Sequence, residues 1–86
     1  MKGFSHTIKN PEGLHARPAG EIIKTASGFG CTINLSCRGK EVSLKGGIFA
    51  LMGLGLRQGD AIEVRIDGPE EEQALTTLKE LFERLL

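Results

Sequence analysis

The residues able to do covalent chemistry gather in one short stretch, Gly13-Leu14-His15-Ala16-Arg17-Pro18-Ala19-Gly20. Imidazole is a nucleophile at neutral pH because its ordinary pKa is about 6.5. Two residues beyond His15, Arg17 brings a guanidinium fork suited to phosphate. The pattern that follows reads as a helix, so this stretch is its first turn. The first N–H groups of a helix lack intrahelical partners and, with the dipole, form an anion site. Pro18 is tolerated there because its missing N–H costs no helical hydrogen bond. Gly13 permits an otherwise strained turn before His15. A phosphoryl group on His15 would lie over that helix end, in a cradle of Ala16, Arg17 and Pro18. A phosphorus–nitrogen bond to imidazole is labile, so the group can be handed on. Apart from Glu12, no neighbouring carboxylate could activate water, which suits a carrier better than a hydrolase.

A lone histidine at a helix start is more often a cap or a solvated residue, so the neighbours of His15 carry this reading. His6 falls within a strand pattern and reads as structural. Cys31 and Cys37 are the only cysteines. On one strand they share a face but stand about 20 Å apart, too far for a disulfide, and they read as small buried hydrophobes. With His6 and His15 they show none of the short paired spacings of zinc sites, so no metal or other cofactor is expected. Glu70-Glu71-Glu72 reads as a helix start.

These residues need elements to hold them. Phe4 and Ile8 alternate with Ser5 and Thr7, which predicts a strand over 2–8. Asn10-Pro11-Glu12-Gly13 is a turn signal. Ala16, Ala19, Ile22, Ile23 and Ala26 mark one face of a helix that Gly28 ends. Cys31, Ile33, Leu35 and Cys37 alternate with polar residues as a half-buried strand, and Arg38-Gly39 turns it into a second strand bearing Val42 and Leu44. Residues 48–54 suit a two-turn helix. Ile48, Phe49, Leu51 and Met52 cannot all face inward on it, so part of that cluster is expected to form a docking surface. Ile62, Val64 and Ile66 give a fourth strand. Pro69 is expected in the first turn of a last helix, with Ala74, Leu75, Leu78, Leu81, Phe82 and Leu85 as its buried stripe. The order β-α-β-β-α-β-α predicts an α+β open-faced sandwich, a four-stranded antiparallel sheet with helices on one face.

Composition narrows the function. The chain has 86 residues and equal numbers of basic and acidic side chains, 11 of each. One domain over 1–86 is expected. A neutral balance argues against nucleic-acid binding, which relies on a basic surface. The sheet has neither Tyr nor Trp, which tells against an RNA-binding domain. No apolar run is long enough for membrane insertion, and the first residues have no apolar core of a signal peptide. A cytoplasmic protein is the expectation.

The motif Gly-Leu-His-Ala-Arg-Pro-Ala at 13–19 resembles the active-site signature of the HPr family, the histidine-containing phosphocarriers of the bacterial phosphoenolpyruvate:sugar phosphotransferase system. The resemblance extends along essentially the whole chain, through Lys24, Ala26, Phe29, Gly39-Lys40, Leu54-Gly55 and Gly59. It implies that His15 accepts a phosphoryl group at Nδ1 from enzyme I and passes it to the A domains of sugar permeases in sugar uptake. It implies that Arg17 stabilises the phosphate and that Ile48, Phe49, Met52 and Gly55 dock both partners. Such a relay is expected to be a monomer and a stoichiometric carrier rather than an enzyme. A regulatory paralogue relaying phosphate to a control protein would use the same residues. One departure stands out. Many Gram-positive members carry a kinase-regulated serine at the start of the second helix. Here 44–49 reads Leu-Lys-Gly-Gly-Ile-Phe, one residue longer than usual and with glycine in the serine's place. Paired glycines and the lost cap are expected to loosen that helix.

Overall fold

The computed structural model describes residues 1–86. The elements are β1 (Lys2–Thr7), α1 (Ala16–Ser27), β2 (Thr32–Cys37), β3 (Lys40–Ser43), α2 (Ile48–Met52), β4 (Ala61–Asp67) and α3 (Glu71–Leu85). Their sheet has the order β1-β4-β2-β3, with every neighbour antiparallel. This is the predicted open-faced sandwich. The period-two alternation of the sequence sets the register: Leu35 lies opposite Val42 on β3 and Val64 on β4, so the apolar residues share one face. The helices cover that face. Ile22 and Ala26 from α1, Leu51 from α2, and Leu78 and Phe82 from α3 join Ile33, Leu35, Ile62, Val64 and Ile66 in one cluster of 20 buried residues.

The β2–β3 turn has the form its two residues allow. Arg38 and Gly39 both take positive φ, 52° and 80°, between the paired Cys37 and Lys40. That backbone twist suits a two-residue hairpin. Both cysteines are buried and free, as their alternation suggests.

Three local expectations are corrected. Ala16 is exposed, and the buried face of α1 is instead made by Pro18, Ala19, Ile22 and Ala26. Pro69 stands before α3 rather than inside its first turn. Gly68 and Glu70 flank it in left-handed conformations, with φ of 120° and 66°, so helical geometry starts only at Glu71. Glu70 is more than a charge favouring the dipole, because its carboxylate accepts the Gly30 N–H at 2.9 Å and ties the start of α3 to the α1–β2 loop. The second helix is a bare five residues, shorter than the two turns expected. Its cap, Gly47, lies at φ 104° and ψ 164° and offers no side chain to the free amides.

Candidate functional site

His15 is the N-cap of α1, in extended conformation (φ −121°, ψ −175°), and its side chain makes no capping hydrogen bond. The half-buried imidazole is therefore not spent on its own helix. The first intrahelical bond runs from the Ala19 N–H to the His15 carbonyl at 3.0 Å. The amides of Ala16 and Arg17 come before that bond and donate to nothing within the chain, and Pro18 has no N–H to offer. Two backbone donors thus stand beside the imidazole at the positive end of the helix. No acidic residue lies in the first turn. Arg17 is exposed and enters no ion pair, so its guanidinium is available to an anion. None of the molecule's shallow surface hollows is lined by His15 or Arg17. An open site of this kind suits approach by another protein rather than enclosure of a small substrate.

The segment before His15 is held from two sides. The Asn10 carboxamide oxygen accepts the Glu12 N–H at 3.0 Å, and the Asn10 carbonyl accepts the Gly13 N–H at 2.9 Å. The Leu86 carbonyl accepts the Asn10 N–H at 3.0 Å, so the end of α3 anchors the turn. On the other side the Leu14 N–H donates to the Leu56 carbonyl at 3.2 Å. Gly13 is required at its position. It has φ +65°, and a Cβ there would stand 2.5 Å from the Leu56 carbonyl oxygen and 3.0 Å from the Arg57 Cα.

The short helix α2 packs beside α1 and divides the apolar cluster. Leu51 is fully buried. Ile48 is half-buried and faces Gly20 of α1, where a Cβ would lie 3.9 Å from its Cδ1. Phe49 projects with 88% of its surface exposed and Met52 with 38%. Gly55 is exposed in a left-handed turn next to Leu56, the residue that backs Leu14. Of the four residues expected to dock partners, Phe49, Met52 and Gly55 are therefore presented outward, while Ile48 is partly spent on helix packing. His6 lies on the inner face of β1 with its ring 6.1 Å from the Phe82 ring.

A family model described as the PTS HPr component phosphorylation site matches residues 3–84. The chain belongs to the HPr family. The phosphocarrier protein HPr of Xylella fastidiosa (strain Temecula1) is 44% identical over 77 residues, 90% of this chain and 85% of that protein. The HPr of Mycoplasma genitalium is 41% identical over 85 residues, 98% of this chain and 96% of that one. Among solved structures, a mycoplasma histidine-containing phosphocarrier protein superposes with a TM-score of 0.89 at 34% identity, covering 93% of this chain and 90% of that one. HPr-C-His from Thermoanaerobacter tengcongensis also gives 0.89, at 40% identity over 96% of this chain and 92% of that one. Membership makes the chain a phosphocarrier of the phosphotransferase system and not a catalytic enzyme. No helix is long and apolar enough to cross a membrane.

Sequence reasoning missed Asn10 as an anchor, Glu70 as a staple, and the pair Arg38 and Asp60 described below. Only Asn10 carried a signal, since an Asn-Pro turn uses its side chain to cap a nearby amide.

Proposed function

We propose that His15 is the phosphoryl acceptor of this phosphocarrier, taking the group from the phosphohistidine of enzyme I and giving it to the A domains of sugar permeases. In the first transfer the phosphorus–nitrogen bond on enzyme I breaks as one forms to Nδ1 of His15, and in the second that bond to Nδ1 breaks as the group passes to the acceptor. The observation that carries this reading is an imidazole free of capping duty beside the unpaired amides of Ala16 and Arg17. Those amides and the Arg17 guanidinium offset the charge of the bound phosphoryl group. Phe49, Met52 and Gly55 form the docking surface, with Ile48 setting the pitch of α2 against α1. The protein acts as a cytoplasmic monomer of one domain, because a relay must present one open site to successive partners.

Control by a serine kinase is absent from this reading. Gly46 and Gly47 carry no hydroxyl, and the nearest one, Ser43 Oγ, accepts the Lys45 N–H at 3.1 Å beyond the end of β3.

The test is incubation with phosphoenolpyruvate, magnesium and a heterologous enzyme I, followed by intact mass. One acid-labile phosphoryl group is expected on the wild type and none on His15→Ala. Phosphate that persists in His15→Ala, or a folded wild type that takes none while a control carrier does, removes the reading.

A further inference from the structure

A set of hydrogen bonds outside the His15 motif converges on the loop behind it. Arg38 stands in the β2–β3 turn, far from His15 in sequence. One guanidinium nitrogen donates to Oδ2 of Asp60, and the other donates to the Leu54 carbonyl at 2.7 Å with the Gly55 carbonyl at 3.5 Å beyond. The same Asp60 oxygen accepts the Arg57 N–H at 2.9 Å, and the Arg57 carbonyl accepts the Asp60 N–H at 3.0 Å. One arginine therefore grips both ends of the loop over 54–60. The inner side of that loop is what the His15 segment rests on: the Leu56 carbonyl holds the Leu14 N–H, and Gly13 is pressed against Leu56 and Arg57. The outer side carries Gly55 next to Met52. An isolated surface ion pair contributes little to stability. Here the pair is partly exposed, with side-chain exposures of 50% for Arg38 and 22% for Asp60. Its distinctive feature is that it joins the turn of one hairpin to a carbonyl, an amide and a carboxylate of one functional loop.

We infer that Arg38 and Asp60 are positioning residues for phosphotransfer, holding 54–60 in the one arrangement that presents Gly55 to a partner protein and backs Gly13–Leu14 behind His15. The inference rests on His15 being the phosphoryl acceptor. Neither side chain touches the phosphoryl group; both act through the loop. Releasing the loop lowers the fraction of molecules ready to dock, and apparent affinity falls by that fraction.

The experiment measures initial rates of enzyme I-dependent phosphorylation against carrier concentration for the wild type, Arg38→Gln, Asp60→Asn, the double variant and Arg38→Lys. Amide hydrogen exchange is followed in parallel. Each single variant is expected to raise KM about three- to tenfold with kcat within about twofold of wild type. The double variant should be no worse than the worse single, because both remove one clamp. Arg38→Lys should recover only part of the loss, since an ammonium lacks the fork that reaches Asp60 and Leu54 together. Exchange at Leu14 and Arg57 should quicken in the variants while Leu35 and Val64, inside the paired strands, stay protected. A merely stabilising pair would lower the melting temperature and leave KM alone. Unchanged KM, or fold-changes that multiply in the double variant, would overturn the inference while leaving His15 phosphorylation intact. If the wild type takes no phosphate on His15, the functional reading fails instead, and unchanged Leu14 exchange in Arg38→Gln would still sink the clamp.

Discussion

At the scale of single residues, the site divides into groups free to bind and groups that must fit. Arg17 is of the first kind. It is exposed and unpaired, so its removal disturbs no packing. Arg17→Ala is expected to change unfolding free energy by less than about 0.5 kcal/mol. On the proposed role of Arg17, the same substitution would remove a charge-assisted hydrogen bond to the phosphoryl group and should slow its acceptance about ten- to a hundredfold. Rapid-quench phosphorylation alongside urea unfolding separates the two quantities. Gly13 is of the second kind. Gly13→Ala must take φ +65° and also drive a methyl into the Leu56 carbonyl oxygen. A loss of about 2–4 kcal/mol is expected from strain and overlap together, read as a lower urea midpoint. Phosphoryl acceptance should fall as well, because His15 follows two residues later on the same displaced segment. A midpoint within error of wild type would mean that the loop yields more easily than its hydrogen bonds imply.

At the scale of elements, α2 is the one that departs most from its neighbours. It has five residues, no capping side chain and a single fully buried residue, Leu51. Its propensity alone cannot sustain it, since helices this short depend on tertiary packing. The contact of Ile48 with the core and the burial of Leu51 supply that packing. Restoring a serine at the cap would ordinarily add about 1 kcal/mol. Gly47 sits where only glycine is comfortable, at φ 104° and ψ 164°. Gly47→Ser is therefore expected to cost about 1–3 kcal/mol instead, measured as a drop in thermal midpoint. A rise in that midpoint would show that the backbone at 46–47 can relax into an ordinary N-cap. The open space around Gly47, with nothing within 4 Å of its Cβ position, confines the expected cost to backbone strain.

At the scale of the whole molecule, acid sensitivity follows from two carboxylates held below their ordinary range. Asp60 is held down first by the Arg57 N–H and then by the Arg38 guanidinium, and Arg38 is in turn pushed up by its bond to Asp60. Glu71 is held down first by the N-terminal ammonium, with the Gly68 N–H and the charge of Lys2 adding to it. A carboxyl depressed on folding contributes its full stabilisation above the unfolded pKa, and loses it as pH falls through the folded value. Both pairs are open to solvent, which keeps each contribution modest. The gap in melting temperature between wild type and Asp60→Asn should be constant from pH 7 to about 5 and close below about pH 4. Circular-dichroism melts across that range test it, and a gap that persists unchanged at pH 3 would count against the ion pair.

Sequence alone determined whatever depends on local pattern. The alternation at 31–37 and 62–66 dictated which face of each strand is buried, and the helical spacing through Ile22 and Ala26 dictated the inner face of α1. The left-handed pair Arg38-Gly39 marked its own turn. The proposed site could be named from sequence for the same reason: His15, Ala16, Arg17 and Pro18 are contiguous, so they fall together at one helix end. Tertiary structure decided everything that joins distant segments. Only the folded chain brings Leu56 behind Leu14, sets Glu70 against Gly30 and lets Arg38 reach both Asp60 and Leu54. It also decided the start of α3, where the N-cap Glu70 adopts a left-handed conformation and its carboxylate bonds across to another loop rather than to the free amides of its own helix. The same holds for Ile48, whose partial burial comes from packing against a core built by other elements. Hydrophobic period is written residue by residue, whereas hydrogen bonds between loops arise only once the sheet order has placed those loops side by side.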